Sequence, residues 1–95
     1  MTAIAERVHT GQDEIALIES RITELPDEAI VEITLDDGRK LKGLVTTRPT
    51  IQTFRDAEGR EGVNALLRLD DMDQSGHSHQ IWLDQVSEIF HIGSD

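Results

Sequence analysis

The spacing of apolar residues changes close to Pro26, and this change divides the chain into two kinds of element. Before Pro26, four aliphatic residues recur at intervals of three or four: Ile15, Ile18, Ile22 and Leu25. This spacing predicts one apolar face of an amphipathic helix. Thr10 offers a side-chain oxygen as an N-cap, and Pro26 disfavours a helical conformation in the residue before it. We therefore expect a helix over about 12–25, preceded by a frayed end or a short helical extension.

After Pro26 the apolar residues alternate with polar ones, which is typical of half-buried strands. Val31, Ile33 and Leu35 occupy one face of a first predicted strand. The sequence Asp-Asp-Gly at 36–38 is a hairpin signal, and the strand after it contains Gly43. A glycine inside a strand indicates a sharp bend or bulge, which a small closed barrel requires.

Short strands fill the rest of the chain. Three more are predicted, at 51–56, 63–71 and 79–83. Apolar residues then recur every three positions from Leu83 to Ile89, which predicts one short helical turn and a brief closing strand. A chain of 95 residues has the length of one domain. We expect a single domain over 1–95, with the helix at about 12–25 and a barrel at about 29–92.

The predicted hairpin carries a family resemblance. A helix followed by V-x-I-x-L-D-D-G-R-x-L-x-G resembles the first Sm motif of Sm and Sm-like proteins. The matching residues are Val31, Ile33, Leu35, Asp37, Gly38, Leu41 and Gly43. The ending IWLDQVSEIFHI is similar to the closing strand–turn–strand of that fold, and the chain is similar to a short proteobacterial family with a variant of it. The resemblance implies a mainly β fold, a strongly bent five-stranded antiparallel Sm-like or SH3-type barrel capped by the helix. Asp37, Gly38 and Gly43 are then its fold motif.

Charge is unevenly distributed. The formal net charge is −10, which argues against DNA binding because phosphates repel an acidic surface. Residues 39–60, however, carry six bases and two acids. Three interpretations of these bases are open: they are solvated charges on strand faces, they form a local anion or RNA site, or they make a contact between subunits. The candidate nucleic-acid-binding residues are Lys40, Lys42, Arg48, Phe54 and Arg55, of which the first three share a face by strand parity.

The resemblance also bears on RNA. Sm-like proteins mostly bind single-stranded RNA through a stacking side chain, an Asn after the second strand and an Arg-Gly near the fourth. Here the segment 50–54 reads TIQTF, and GHSHQIWL stands before the last strand. RNA binding is therefore the alternative function rather than the leading one.

The residue inventory excludes several kinds of chemistry. Without cysteine, the chain has no disulfide, zinc–thiolate site or thiol nucleophile. No serine elbow, P-loop or dinucleotide fingerprint is present. We expect no enzymatic activity, catalytic residue, cofactor or bound metal. His77 and His79 have a spacing that zinc often uses, with Asp71, Asp73 or His91 as a third ligand, so a metal-dependent hydrolase is a remote alternative.

Self-association is the leading expectation. A chain this short buries a thin core, and open strand edges gain from pairing, so we expect a homo-oligomer, with a dimer favoured, or another protein partner. Trp82, the single tryptophan, belongs either to the core or to an interface. Without a signal-peptide pattern or a long apolar run, we expect a cytoplasmic protein that does not contact membranes. The expected function is a non-catalytic binding or scaffold module.

Overall fold

The structure, a computed structural model, describes residues 4–74 and 76–94, with side chains to residue 93. It contains one helix, α1 (Gln12–Thr23), and a 3₁₀ turn at Leu83–Gln85. The strands are β1 (Ala29–Leu35), β2 (Lys40–Val45), β3 (Gln52–Arg55), β4 (Glu61–Asn64), β5 (Leu66–Asp71), β6 (Ser78–Trp82) and β7 (Val86–Ser94).

The strands form two antiparallel sheets. Five pair in the order β6-β5-β2-β1-β7, and β3 and β4 form a separate hairpin. The prediction of one closed five-stranded barrel is wrong in this respect, because no described pairing joins β6 to β7 and two further strands exist. The predicted strand over 63–71 divides at Ala65, where the amide N–H donates to the side-chain Oδ1 of Asn64 at 2.8 Å. That bond replaces a ladder bond and lets the chain leave one sheet for the other.

The β1–β2 hairpin confirms the alternating pattern. Ile33 lies opposite Leu41 and Val31 opposite Gly43, and the turn places Gly38 at a φ of 90°. The inner face of the large sheet, the helix and the 3₁₀ turn enclose one buried core: Ile18, Leu25, Ala29, Val31, Ile33, Leu35, Val45, Ala65, Leu67, Leu69, Ile81, Leu83 and Val86.

Gly43 marks the closest approach of β2 to β5. It lies opposite Asp71, and a Cβ at this position would overlap the carbonyl oxygen of Asp70 and lie 2.9 Å from Cγ of Leu69. Only a residue without a side chain permits this backbone approach. The pairing of β1 with β2 runs in register through Gly43 without a bulge, so what the glycine provides is the space in which β5 approaches β2.

The helix begins and ends slightly differently from the prediction. Gly11, not Thr10, is the N-cap, and no side chain caps the helix there. Asp13 and Glu14 still place negative charge in the first turn, where the helix dipole favours it. The last residue of the predicted helix, Leu25, lies beyond α1 and is fully buried.

The N-terminal segment differs most from expectation. Residues 4–10, predicted to be frayed or helical, are extended and lie against the β3–β4 hairpin. Ile4 bridges to Arg55 and His9 bridges to Val63, while Ala5 is buried. These contacts are distant in the sequence, so local propensity does not reveal them.

We expect Gly43→Ala to lower the free energy of unfolding by about 1–3 kcal/mol, because the methyl group forces β2 away from β5. Chemical denaturation followed by circular dichroism measures this. The matched control is Gly93→Ala in β7, where a Cβ meets nothing within 4 Å. Equal effects of the two substitutions would contradict the role assigned to Gly43.

Candidate functional site

The most exposed apolar side chains in the sheets lie on the edge strand β7. Phe90 is 64% exposed and Ile92 is 44% exposed, and β7 pairs with β1 along one side only among the described strands. Ile30 of β1 and Leu44 of β2 lie opposite each other and are partly exposed beside this edge. We call Phe90, Ile92 and this neighbouring pair the β7 patch.

The predicted basic residues do not form one continuous row. Lys40 and Lys42 are exposed on the same face of β2. Arg48 lies beyond the end of β2, and its backbone N–H donates to the carboxylate of Asp27. Strand parity therefore does not place Arg48 on the lysine face.

On β3, Arg55 donates to Glu61 at 2.7 Å, so an acid offsets its charge. The two aromatic candidates contact each other: the rings of Phe54 and Trp82 meet edge to face, with centroids 4.9 Å apart. Phe54 is only 5% exposed and Trp82 is half-buried. This pair holds the β3–β4 hairpin against the large sheet. It also covers the ring of Phe54, whereas stacking on an RNA base requires an exposed ring.

A cluster of ionisable groups lies where the N-terminal segment, α1 and the 3₁₀ turn meet. The Nδ1 of His9 contacts the carboxylate of Glu14, and its Nε2 lies 2.9 Å from Oδ2 of Asp84. The side chains of His9 and Asp84 are 12% and 6% exposed. The other carboxylate oxygen of Asp84 is buried and has no hydrogen-bond partner among the described residues.

Burial favours neutral His9, but the hydrogen bonds to Asp84 and Glu14 and the charges of both carboxylates outweigh it, so its pKa is raised. A neutral imidazole has one N–H donor, whereas two facing carboxylates require two. The geometry and the pKa direction both indicate a protonated ring.

His79 is held by a carboxylate as well. Its Nε2 lies 3.1 Å from Oδ2 of Asp71, and the pKa of that carboxyl is lowered first by the backbone N–H of Asp73 and then by His79. His77 is exposed in the preceding loop. Among residues 4–74 and 76–94, no three His, Asp or Glu side chains are arranged to hold a metal ion.

Sequence reasoning missed the residues that the structure makes most informative. His9 and Asp84 are 75 positions apart, and nothing in their local patterns links them. Asn64 lies fully buried within a segment predicted as one uniform strand. A signal for the β7 patch did exist, because the pair Phe90 and Ile92 alternates with polar neighbours in the predicted closing strand.

Comparisons with known proteins agree with the fold. No helix in the described part of the chain is both long and apolar enough to cross a membrane. A search of curated proteins finds no significant match. The crystal structure of XC5848 from Xanthomonas campestris, described as adopting a novel variant of the Sm-like motif, matches with a TM-score of 0.90 and 40% identity. That match covers 97% of this chain and 99% of the other.

The family model described as a domain of unknown function, DUF3247, matches residues 2–92. Together with the helix-first, antiparallel topology, the match to the solved structure confirms the Sm-like resemblance that the hairpin sequence suggested. The chain belongs to the DUF3247 family, and its mainly β fold is a variant of the Sm-like fold.

Proposed function

We propose that this protein is a non-catalytic module that associates with itself, forming a dimer through the β7 edges of two copies. The observation that carries the proposal is the nine-residue edge strand with exposed apolar side chains. Proteins usually shorten, charge or cover such an edge, because its free N–H and C=O groups pair readily with another strand. A second β7 strand would satisfy those groups and bury the β7 patch.

The position of Phe90 favours a symmetric pairing. It is the middle residue of Val86–Ser94, so a twofold axis beside it would bring two Phe90 rings together in an antiparallel pair. In that register Glu88 lies opposite Ile92 of the second copy rather than opposite another Glu88. Each buried Phe or Ile side chain stabilises the contact by up to roughly 1.5–3 kcal/mol.

The environment of the histidines supports a non-catalytic role. In the described hydrogen bonds, the ring nitrogens of His9 and His79 face carboxylates, and none meets a serine or threonine hydroxyl. A nucleophile activated by an adjacent base would need that contact. The sequence also contains no cysteine that could replace a hydroxyl as the nucleophile.

RNA binding remains the alternative, and its support is the exposed pair Lys40 and Lys42. Lys42 lies opposite Glu32, Arg55 is paired with Glu61, and Phe54 is covered. Two lysines on an acidic protein supply little counterion release. The contacts therefore favour self-association.

We expect the wild-type protein to have the mass of a dimer in native mass spectrometry at micromolar concentration, and Phe90→Glu to be monomeric. The substitution places two carboxylates at the twofold axis, where like charges repel. The matched control is Leu17→Glu on α1, which replaces an apolar side chain of similar exposure, 55%, away from the edge. Circular dichroism checks that both variants keep the fold.

Two results would overturn the β7 dimer. One is a wild-type protein that is monomeric across the micromolar range. The other is Phe90→Glu remaining dimeric while Leu17→Glu dissociates, which would place the interface on the helix. If the wild-type protein is a higher oligomer and Phe90→Glu dissociates it, the β7 edge is still part of the interface. The pairing is then head-to-tail rather than twofold.

The dependence on salt concentration distinguishes self-association from RNA binding. Because each copy carries a net charge of −10, screening should strengthen the dimer as salt rises from about 0.05 to about 0.5 M. Sedimentation analysis measures this. RNA binding would weaken over the same range. We expect fluorescence anisotropy with single-stranded oligouridine to show no binding at low salt. If binding is observed, and the double variant Lys40→Ala/Lys42→Ala weakens it, the RNA-binding alternative is supported instead.

A further inference from the structure

The N-terminal segment 4–10 is attached to the β3–β4 hairpin at both ends. The backbone N–H of Ala5 donates to the carbonyl oxygen of Arg55 at 3.0 Å. At the other end, His9 and Val63 exchange two backbone hydrogen bonds of 2.9 and 2.8 Å. The segment thus reaches from β3 to β4, like a strap across the hairpin.

Two residues of the hairpin, Asn64 and Gly62, lie directly against the strap. Asn64, fully buried, donates from Nδ2 to the carbonyl oxygen of Arg7 at 3.0 Å. At Gly62 a Cβ would lie 2.7 Å from the carbonyl oxygen of His9 and 3.0 Å from the Cβ of Val8. The buried amide of Asn64 and the position without a side chain at Gly62 therefore form the surface on which the strap lies.

The imidazole of His9 fastens the strap to two other elements. Glu14 lies in the first turn of α1 and Asp84 in the 3₁₀ turn, and the ring lies between their carboxylates. When His9 loses a proton, one ring nitrogen becomes an acceptor facing a carboxylate, and that contact turns from attractive to repulsive. The loss occurs in a half-buried site, where an unmatched polar group is costly.

We propose that residues 4–10 are a strap whose seating on the β3–β4 hairpin is switched by the protonation of His9. With the ring charged, the strap is closed; with the ring neutral, it lifts and uncovers Asn64, Gly62 and the outer edge of β4. The described hydrogen bonds of the strap reach the hairpin, α1 and the 3₁₀ turn but not Phe90 or Ile92, so the switch is independent of the proposed dimer.

The other charged groups around the strap do not replace His9. On the hairpin, Asp56 holds Arg60 at 2.9 Å and Glu61 holds Arg55 at 2.7 Å. On the strap, Glu6 accepts a hydrogen bond from Gln85 at 2.6 Å, and the side chain of Arg7 is exposed. None of these residues lies among the contacts of Asp84, whose only side-chain partner in the described structure is His9.

The direction of the pH response follows from the raised pKa of His9. A group whose pKa is higher in the closed state stabilises that state fully below its open-state value, about 6.5. The stabilisation is lost as the pH rises through the raised value. The strap is therefore closed in mildly acidic solution and opens on the alkaline side.

The test is amide hydrogen exchange by NMR on the full chain, with titration of the His9 ring in the same samples. From about pH 6 to about pH 9, we expect the protection factors of the Ala5, His9 and Val63 amides to fall by about tenfold or more relative to Ile33 in central β1. The midpoint should coincide with the titration of His9.

Variants separate the switch from general destabilisation. Glu14→Gln should move the opening midpoint to lower pH, whereas Asp13→Asn, an acid in the same helical turn that does not contact His9, should not. Gly62→Ala should leave the strap open at every pH. The proposal is overturned if, in the wild type, the protection factors of the strap amides change with pH in parallel with that of Ile33. It is also overturned if Glu14→Gln and Asp13→Asn shift the opening midpoint equally.

Discussion

The close approach of β2 and β5 at Gly43 is the constraint on which the architecture depends. Because Gly43 has no side chain, the backbone of Asp70 can come close enough for β2 to pair with β5 on one side while it pairs with β1 on the other. Val45 and Leu69, opposite each other just beyond Gly43, are then fully buried. The five-stranded order β6-β5-β2-β1-β7 depends on this central pairing, and it leaves β7 at one end of the sheet.

The two proposals concern different parts of this architecture. No described pairing joins β7 to β6, so β7 has an edge and an apolar patch that a second copy would cover. The chain divides at Ala65, so that β3 and β4 form a separate hairpin against which the N-terminal segment lies. That segment is held by backbone hydrogen bonds to the hairpin and by the imidazole of His9, which lies between the carboxylates of Glu14 and Asp84.

Much of the fold was predictable because its signals are local. The stripe that includes Ile18 indicated α1, and the alternation on either side of Gly38 indicated the β1–β2 hairpin. The candidate site was much less predictable. Lys40 and Lys42 are exposed as strand parity implied, yet Phe54 packs against Trp82. A periodic pattern states which side of a strand a residue occupies, but not what lies against that side.

The sequence by itself determined the class of the protein: a helix-first, antiparallel chain without cysteine, with an acidic surface and the Sm-like hairpin. These properties depend on composition and on residues at most a few positions apart. Only the tertiary structure decided that the sheet stays open, that β4 ends at Asn64, and that His9 meets Asp84. Each of those depends on groups brought together from distant parts of the chain, where backbone approach and buried charge, rather than local propensity, set the geometry.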